Sequence, residues 1–304
     1  MSQAQVSAAV PNTDGWIVPV VGGIEEIADR YDGFILDVWG VLHNGVEPYP
    51  RVVDTLYRLK AAGKRLCILS NAPVQALTVA GRIETIGIPR DAYHHIMTSG
   101  EEVWQHLKHR PDAFYQGLGR KVLHIGPERD KGMLDGLDLV PVADPAEAEF
   151  VLNTGPGEPA DTVATYRPLL DAAAALKLPM VCANPDLTVM RGPEVLICAG
   201  SLAQAYEAQG GKVRWHGKPF PGVYRTCMAL LGISDKSRIV GVGDSPRTDV
   251  AGANAAGIDS LLVAGGLHAD EFKFVPGTRL DARHLTRVLT DGPRPKAVVG
   301  RLNW

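Results

Sequence analysis

Short apolar runs alternate along the chain with stretches whose apolar residues recur at helical spacing. Phe34-Ile35-Leu36 reads as a buried strand. Val52, Val53, Leu56 and Leu59 then share one face of a helix that Gly63 ends. Leu66-Cys67-Ile68-Leu69 is the next strand. Pro73 is expected to open a helix at its first position and Gly87 to close it, with Val74, Leu77, Ala80 and Ile83 as the apolar stripe. The pattern recurs in the middle, with strands at Val122-Leu123-His124-Ile125, Phe150-Val151-Leu152 and Met180-Val181-Cys182-Ala183 and a helix from Asp161 to Leu176. Near the end, Ile239-Val240-Gly241-Val242 is a strand, Val250 to Ala256 is helical up to Gly257, and Ser260 to Val263 is a further strand. Residues 1–15 read as a loose polar arm and residues 293–304 as an extended tail. This alternation with short connections predicts an α/β fold, a doubly wound parallel sheet with helices on both faces.

Composition narrows the class. A chain of 304 residues predicts about two domains, large enough to fold without a metal or disulfide staple. With 45% apolar and 21% charged residues, disorder and coiled coil are excluded. The 33 glycines and 22 prolines follow no repeat, so they mark turns rather than collagen. A net charge of −3 without a basic run gives no footprint for nucleic acid. No uninterrupted apolar stretch reaches the length of a membrane span, and the start lacks the pattern of a secretory signal. Cys67, Cys182, Cys198 and Cys227 form no C-x-x-C pair and are expected to be buried free thiols, which points to a cytoplasmic protein.

Candidate chemistry lies where strands end, the edge at which parallel sheets bind ligands. Asp37-Val38-Trp39-Gly40-Val41-Leu42 follows the first strand, Ser70-Asn71 the second, and Gly243-Asp244-Ser245-Pro246-Arg247-Thr248-Asp249 a late one, while Gly217-Lys218-Pro219, with Pro219 expected to open a helix, precedes the last strands. Taken singly, each is an ordinary cap, turn or solvated residue. Together they suit phosphoryl transfer, which needs a nucleophile, charge neutralisation and oriented donors. Asp37 can attack phosphorus, Asp37 and Asp244 can share Mg²⁺, and Ser70 with helix-start N–H groups can hold phosphate oxygens. Lys218 can neutralise charge, and Asp249 can orient Lys218 or a metal-bound water.

These four segments resemble the four motifs of the haloacid dehalogenase superfamily of phosphohydrolases, in order, strand placement and the spacing of Gly243, Asp244 and Asp249. The D-x-x-G-V-L run followed by Gly45 is similar to class IIA, which includes sugar-phosphate, 4-nitrophenyl phosphate, phosphoglycolate and pyridoxal-phosphate phosphatases. The resemblance implies a Rossmann-like core at residues 15–103 and 207–304, with an inserted α/β cap at residues 104–206. It further implies Mg²⁺ at Asp37, the Trp39 backbone carbonyl and Asp244, with Ser245 and Asp249 in support. Phosphate and substrate fall to Ser70, Asn71 and the cap residues Asn184 and Asp186, although Asn184-Pro185-Asp186 is also a good turn. Arg191 and Arg247 can assist an anionic substrate or be ordinary surface residues. The partner is a small phosphorylated metabolite, with no nucleic acid or membrane, and a homo-oligomer is compatible with this reading.

One residue departs from the family pattern. The first motif of the family is D-x-D, and its second Asp protonates the leaving oxygen and then activates water. Here that residue is Trp39, whose indole N–H donates but does not titrate usefully. Three readings stay open: a slow or specialised phosphohydrolase, a substitute acid such as His43, or a pseudo-phosphatase that binds Mg²⁺ and a phosphorylated ligand without turnover. A Rossmann dehydrogenase fits poorly, because Pro246 stands where G-x-G-x-x-G needs glycine.

Overall fold

The computed structural model describes residues 15–191 and 194–304. The loose arm read at residues 1–15 lies almost wholly outside them, as does the Arg191 side chain. Two compact units emerge. One takes the described residues up to Leu69 with Ile83–Ile96 and Tyr224–Trp304, and the other takes Ser70–Arg82 and Met97–Val223.

The first unit is built on a seven-stranded sheet. In chain order its strands are β1 (Val20–Val21), β2 (Gly33–Leu36), β3 (Arg65–Ser70) and β4 (His95–Thr98), and later β12 (Ile239–Gly243), β13 (Asp259–Val263) and β14 (Ala297–Val299). The spatial order is β1-β14-β13-β12-β2-β3-β4. Pairings from β1 through to β3 are parallel, with Leu36 opposite Val242 on one side and Ile68 on the other. Every residue of β2 and β12 is buried, which explains their unbroken apolar runs: helices cover both faces of a parallel sheet. Val18, Val250, Leu262, Phe272, Leu285 and Val298 form one cluster of this core.

The second unit has a five-stranded parallel sheet in the order β11-β8-β7-β5-β6. Its strands are β5 (Lys121–Ile125), β6 (Val140–Val142), β7 (Phe150–Asn153), β8 (Met180–Cys182) and β11 (Val213–Trp215). Strand alternation sends Val122, Phe150, Leu152 and Val181 to one face, against Val103, Leu107 and Met133. Leu123, Ile125, Val151, Met180 and Cys182 point the other way, against Leu170, Leu202 and Tyr206. Between β8 and β11, β9 (Thr188–Arg191) and β10 (Glu194–Ile197) make an antiparallel pair.

Three readings need correction. The helix after β3 starts at Ala76, so Pro73 lies in the preceding turn rather than at a first helical position. Its buried face is Ala76, Val79, Ala80 and Ile83, while Leu77 is 82% exposed. Starting the count at Ala76 gives i, i+3, i+4, i+7, the true helical stripe. Pro221, not Pro219, opens the helix Pro221–Leu231, and Pro219 follows a cis Lys218-Pro219 bond. The tail is extended as read, and it is packed: β14 pairs with both β1 and β13, and Leu302 is buried. The four cysteines are buried and free as expected, and burial pushes the Cys182 and Cys198 thiols up to about 12. No helix among the described residues is long and apolar enough to cross a membrane.

Candidate active site

Three carboxylates converge in the first unit. Asp37 follows β2, Asp244 follows β12, and Asp249 closes a π-helical turn at Pro246–Val250. Each offers an oxygen within 4.8 Å of the other two, and all three side chains are buried or nearly so. The sheet causes this convergence: β2 and β12 are neighbours, and Asp37 N–H donates to the Val242 carbonyl at 2.8 Å. The π turn carries Asp249 back to the strand end, where its Oδ2 accepts Ser245 N–H at 3.1 Å. Such turns recur at functional sites.

Glycine makes the close packing sterically feasible. A Cβ at Gly40 would lie 2.0 Å from Asp244 Oδ2, one at Gly266 2.1 Å from the same atom, and one at Gly243 2.0 Å from Asp249 Cγ. Leu267 N–H donates to Asp244 Oδ2 at 2.6 Å. Sequence reading missed this Gly265-Gly266-Leu267 wall; the available signal was a glycine pair one residue beyond β13. Gly40 also has φ +84°. Gly40→Ala is therefore expected to destabilise by about 2–5 kcal/mol, combining left-handed strain with overpacking. Denaturant midpoints of the two proteins measure it.

Trp39 is 39% exposed although its neighbours Val38 and Gly40 are buried. Its ring lies on Gly45, where a Cβ would sit 2.3 Å away, and meets the His43 ring edge-on at 5.5 Å. Asn44-Gly45 lies in a turn: Asn44 Oδ1 accepts the Val46 and Glu47 N–H groups, both at 2.9 Å. His43 is buried and its Nδ1 accepts Gly45 N–H at 2.9 Å, so the neutral ring carries its proton on Nε2. Burial lowers its pKa below the ordinary value of about 6.5. A depressed histidine contributes stability above the unfolded value and loses it as pH falls through that value toward the folded one. Acidifying from about pH 7.5 to 5.5 should thus lower the melting temperature of the wild type more than that of His43→Asn.

The other candidates lie in the second unit. Ser70 ends β3, and its Oγ accepts Ala72 N–H at 3.2 Å, leaving the hydroxyl proton to donate elsewhere. Lys218 is 3% exposed. Its N–H donates to Asn71 Oδ1 at 2.7 Å, and Asn71 Nδ2 donates to the Lys218 carbonyl at 3.1 Å. Asn71 Nδ2 also donates to Asp186 Oδ1 at 2.8 Å. Asn71 thus joins the Lys218 backbone to the Asp186 carboxylate. Asn184 Oδ1 accepts Asp186 N–H at 2.9 Å, closing the turn read from Asn-Pro-Asp. Arg247 is exposed.

The three first-unit carboxylates suit a divalent cation. Buried acids this close repel one another, and an oxygen-seeking cation offsets that repulsion. Such a cluster at the strand ends of a parallel α/β fold can hold a divalent metal ion where such folds bind ligands. Residues 34–140 match the family model "Haloacid dehalogenase-like hydrolase", and residues 215–288 match a second, HAD-hydrolase-like model. A crystal structure of a haloacid dehalogenase-like hydrolase from Brucella suis 1330 is 34% identical with a TM-score of 0.77, covering 93% of this chain and 100% of that one. The chain belongs to the haloacid dehalogenase-like hydrolases. D-glycerol 3-phosphate phosphatase from Mycobacterium tuberculosis is 28% identical, over 81% of this chain and 66% of that protein. 4-Nitrophenylphosphatase from Schizosaccharomyces pombe is 27% identical, over 81% of this chain and 88% of that protein. These relatives support the phosphatase class and the class IIA resemblance.

Proposed function

We propose that this hydrolase cleaves a small phosphate monoester, sugar- or nucleotide-like, through an aspartyl-phosphate on Asp37. The cluster of Asp37, Asp244 and Asp249 carries the reading. Asp37, the Trp39 main-chain carbonyl and Asp244 would hold Mg²⁺, with Ser245 and Asp249 in support. When bound, Mg²⁺ supplies charge neutralisation at the phosphoryl oxygens. An Asp37 oxygen attacks phosphorus, the bond to the leaving oxygen breaks, and water later hydrolyses the acyl phosphate. Ser70 Oγ and backbone N–H groups near Asn71 hold the phosphoryl oxygens, and the Lys218 ammonium balances their charge. In this reading residues 104–206 form a cap inserted in a core of 15–103 and 207–304, and Asn184 and Asp186 meet the body of the substrate. The setting is cytoplasmic.

Trp39 favours a specialised enzyme whose leaving group needs little protonation, because general acid–base catalysis is worth about 10²–10⁴-fold where it is present. The same residue supports a second reading, a pseudo-phosphatase that binds Mg²⁺ and a phosphorylated ligand. A phosphate-release screen over many phosphomonoesters, with and without Mg²⁺, separates the two. Metal-dependent turnover of at least one ester is expected, and its absence from every ester would leave only the binding reading. His43→Ala, run beside it, tests the substitute acid: full activity in that variant removes His43 from the role.

A further inference from the structure

The second unit buries an ionisable network that the chemistry above does not use. Glu102 and His216 are each 4% exposed, and Tyr115 is fully buried. His216 Nδ1 lies 2.9 Å from Glu102 Oε2, an ion-pair approach rather than an aligned hydrogen bond. On the other side of the ring, Nε2 is hydrogen-bonded to the Tyr115 hydroxyl. The His106 ring packs 4.9 Å from His216, and its Nδ1 bonds the Glu102 carbonyl at 2.7 Å.

This network holds the peptide leading into Lys218. Gly217 N–H donates to Glu102 Oε2 at 3.2 Å, across 115 residues of sequence. The next N–H, that of Lys218, is taken by Asn71 across 147 residues. Two successive peptide groups are thus gripped by side chains from distant elements. Gly217 has φ +85°, and a Cβ there would lie 2.6 Å from Asn71 Oδ1 and 2.8 Å from Ser99 Oγ, so the strand of backbone has no room to slide.

A buried acid–imidazole pair is a weak way to gain stability, since desolvating the charges offsets their attraction and a well-packed apolar pair does as well. It does specify one geometry, and displacing a reacting group by about 1 Å costs about 10²-fold in rate. We propose that Glu102 and His216 are positioning residues for Lys218, with Tyr115 fixing the imidazole and Asn71 completing the grip. The proposal rests on Lys218 being the phosphate-side cation of the function above.

The test follows Lys218 directly and then through turnover. Acetic anhydride labelling read by mass spectrometry should find Lys218 slow in the wild type and at least about tenfold faster in Glu102→Ala, once the loop is free to move. Exposed Lys273 is the internal control and stays constant. Glu102→Gln keeps an oxygen for Gly217 N–H and should restore slow labelling to within about threefold. Unchanged Lys218 labelling in folded Glu102→Ala overturns the proposal; if that variant does not fold, unchanged labelling in His216→Asn does so. With 4-nitrophenyl phosphate and Mg²⁺, Glu102→Ala should lower kcat about 10- to 100-fold with little change in KM. On a Lys218→Ala background the same substitution should cost less than about twofold more, because both act through one group. Fully additive losses overturn the positioning role. A wild type without turnover defeats the functional reading alone, and the labelling result still decides this one.

Discussion

Asp37→Asn is expected to lose at least about 10⁴-fold in turnover on any ester the wild type cleaves, as removal of a nucleophile does elsewhere. The substitution is isosteric, so the Val242 contact of the Asp37 backbone and the packing of β2 remain. What disappears is the attacking oxygen and one negative charge of the three-carboxylate cluster. The second loss gives an independent readout. With Mg²⁺ at about 100 times its Kd, the wild type gains about 2.7 kcal/mol by mass action, and the variant should gain much less. Thermal melts with and without Mg²⁺ measure this difference. A variant that keeps more than a hundredth of wild-type turnover would remove Asp37 from the nucleophile's role.

Trp39→Asp is expected to act in the opposite direction, raising turnover of alkyl phosphates by about 10²-fold. An alkoxide leaves poorly without a proton, whereas an acidic phenol leaves well without help. The gain should therefore shrink across a series of aryl phosphates as the leaving phenol becomes more acidic. The cost in packing is small, because Trp39 is partly exposed and its main contact is Gly45. Rates over the series, measured with a folded variant, decide the matter. An unchanged profile would show that residue 39 does not limit turnover.

The legible parts of this chain were those in which physics acts over a few residues. β2, β3, β7 and β12 announce themselves because both faces of a parallel sheet are covered and each strand must be apolar throughout. Gly63 and Gly257 end helices with φ +75° and +77°, as glycine permits. The short edge pieces β1 and β14 were not legible, since two or three residues carry no period. Pro73 and Pro219 misled because a proline suits the turn before a helix as well as its first position. Leu77 misled because an exposed leucine can mimic a stripe when the true start of the helix is unknown.

The sequence by itself determined the alternating α/β architecture and the strand-end placement of Asp37, Ser70 and Asp244. Each is a property of a residue and its near neighbours. Only the tertiary structure decided that Asp249 turns back beside Asp37 and Asp244, that Gly40 and Gly266 wall Asp244 closely, and that Asn71 spends its side chain on Lys218 and Asp186. It alone joined Glu102 to His216 across more than a hundred residues. The physical reason is the same in every case: hydrogen bonds and steric contacts act over a few ångströms of space, and sheet pairing brings together residues that the chain order keeps far apart.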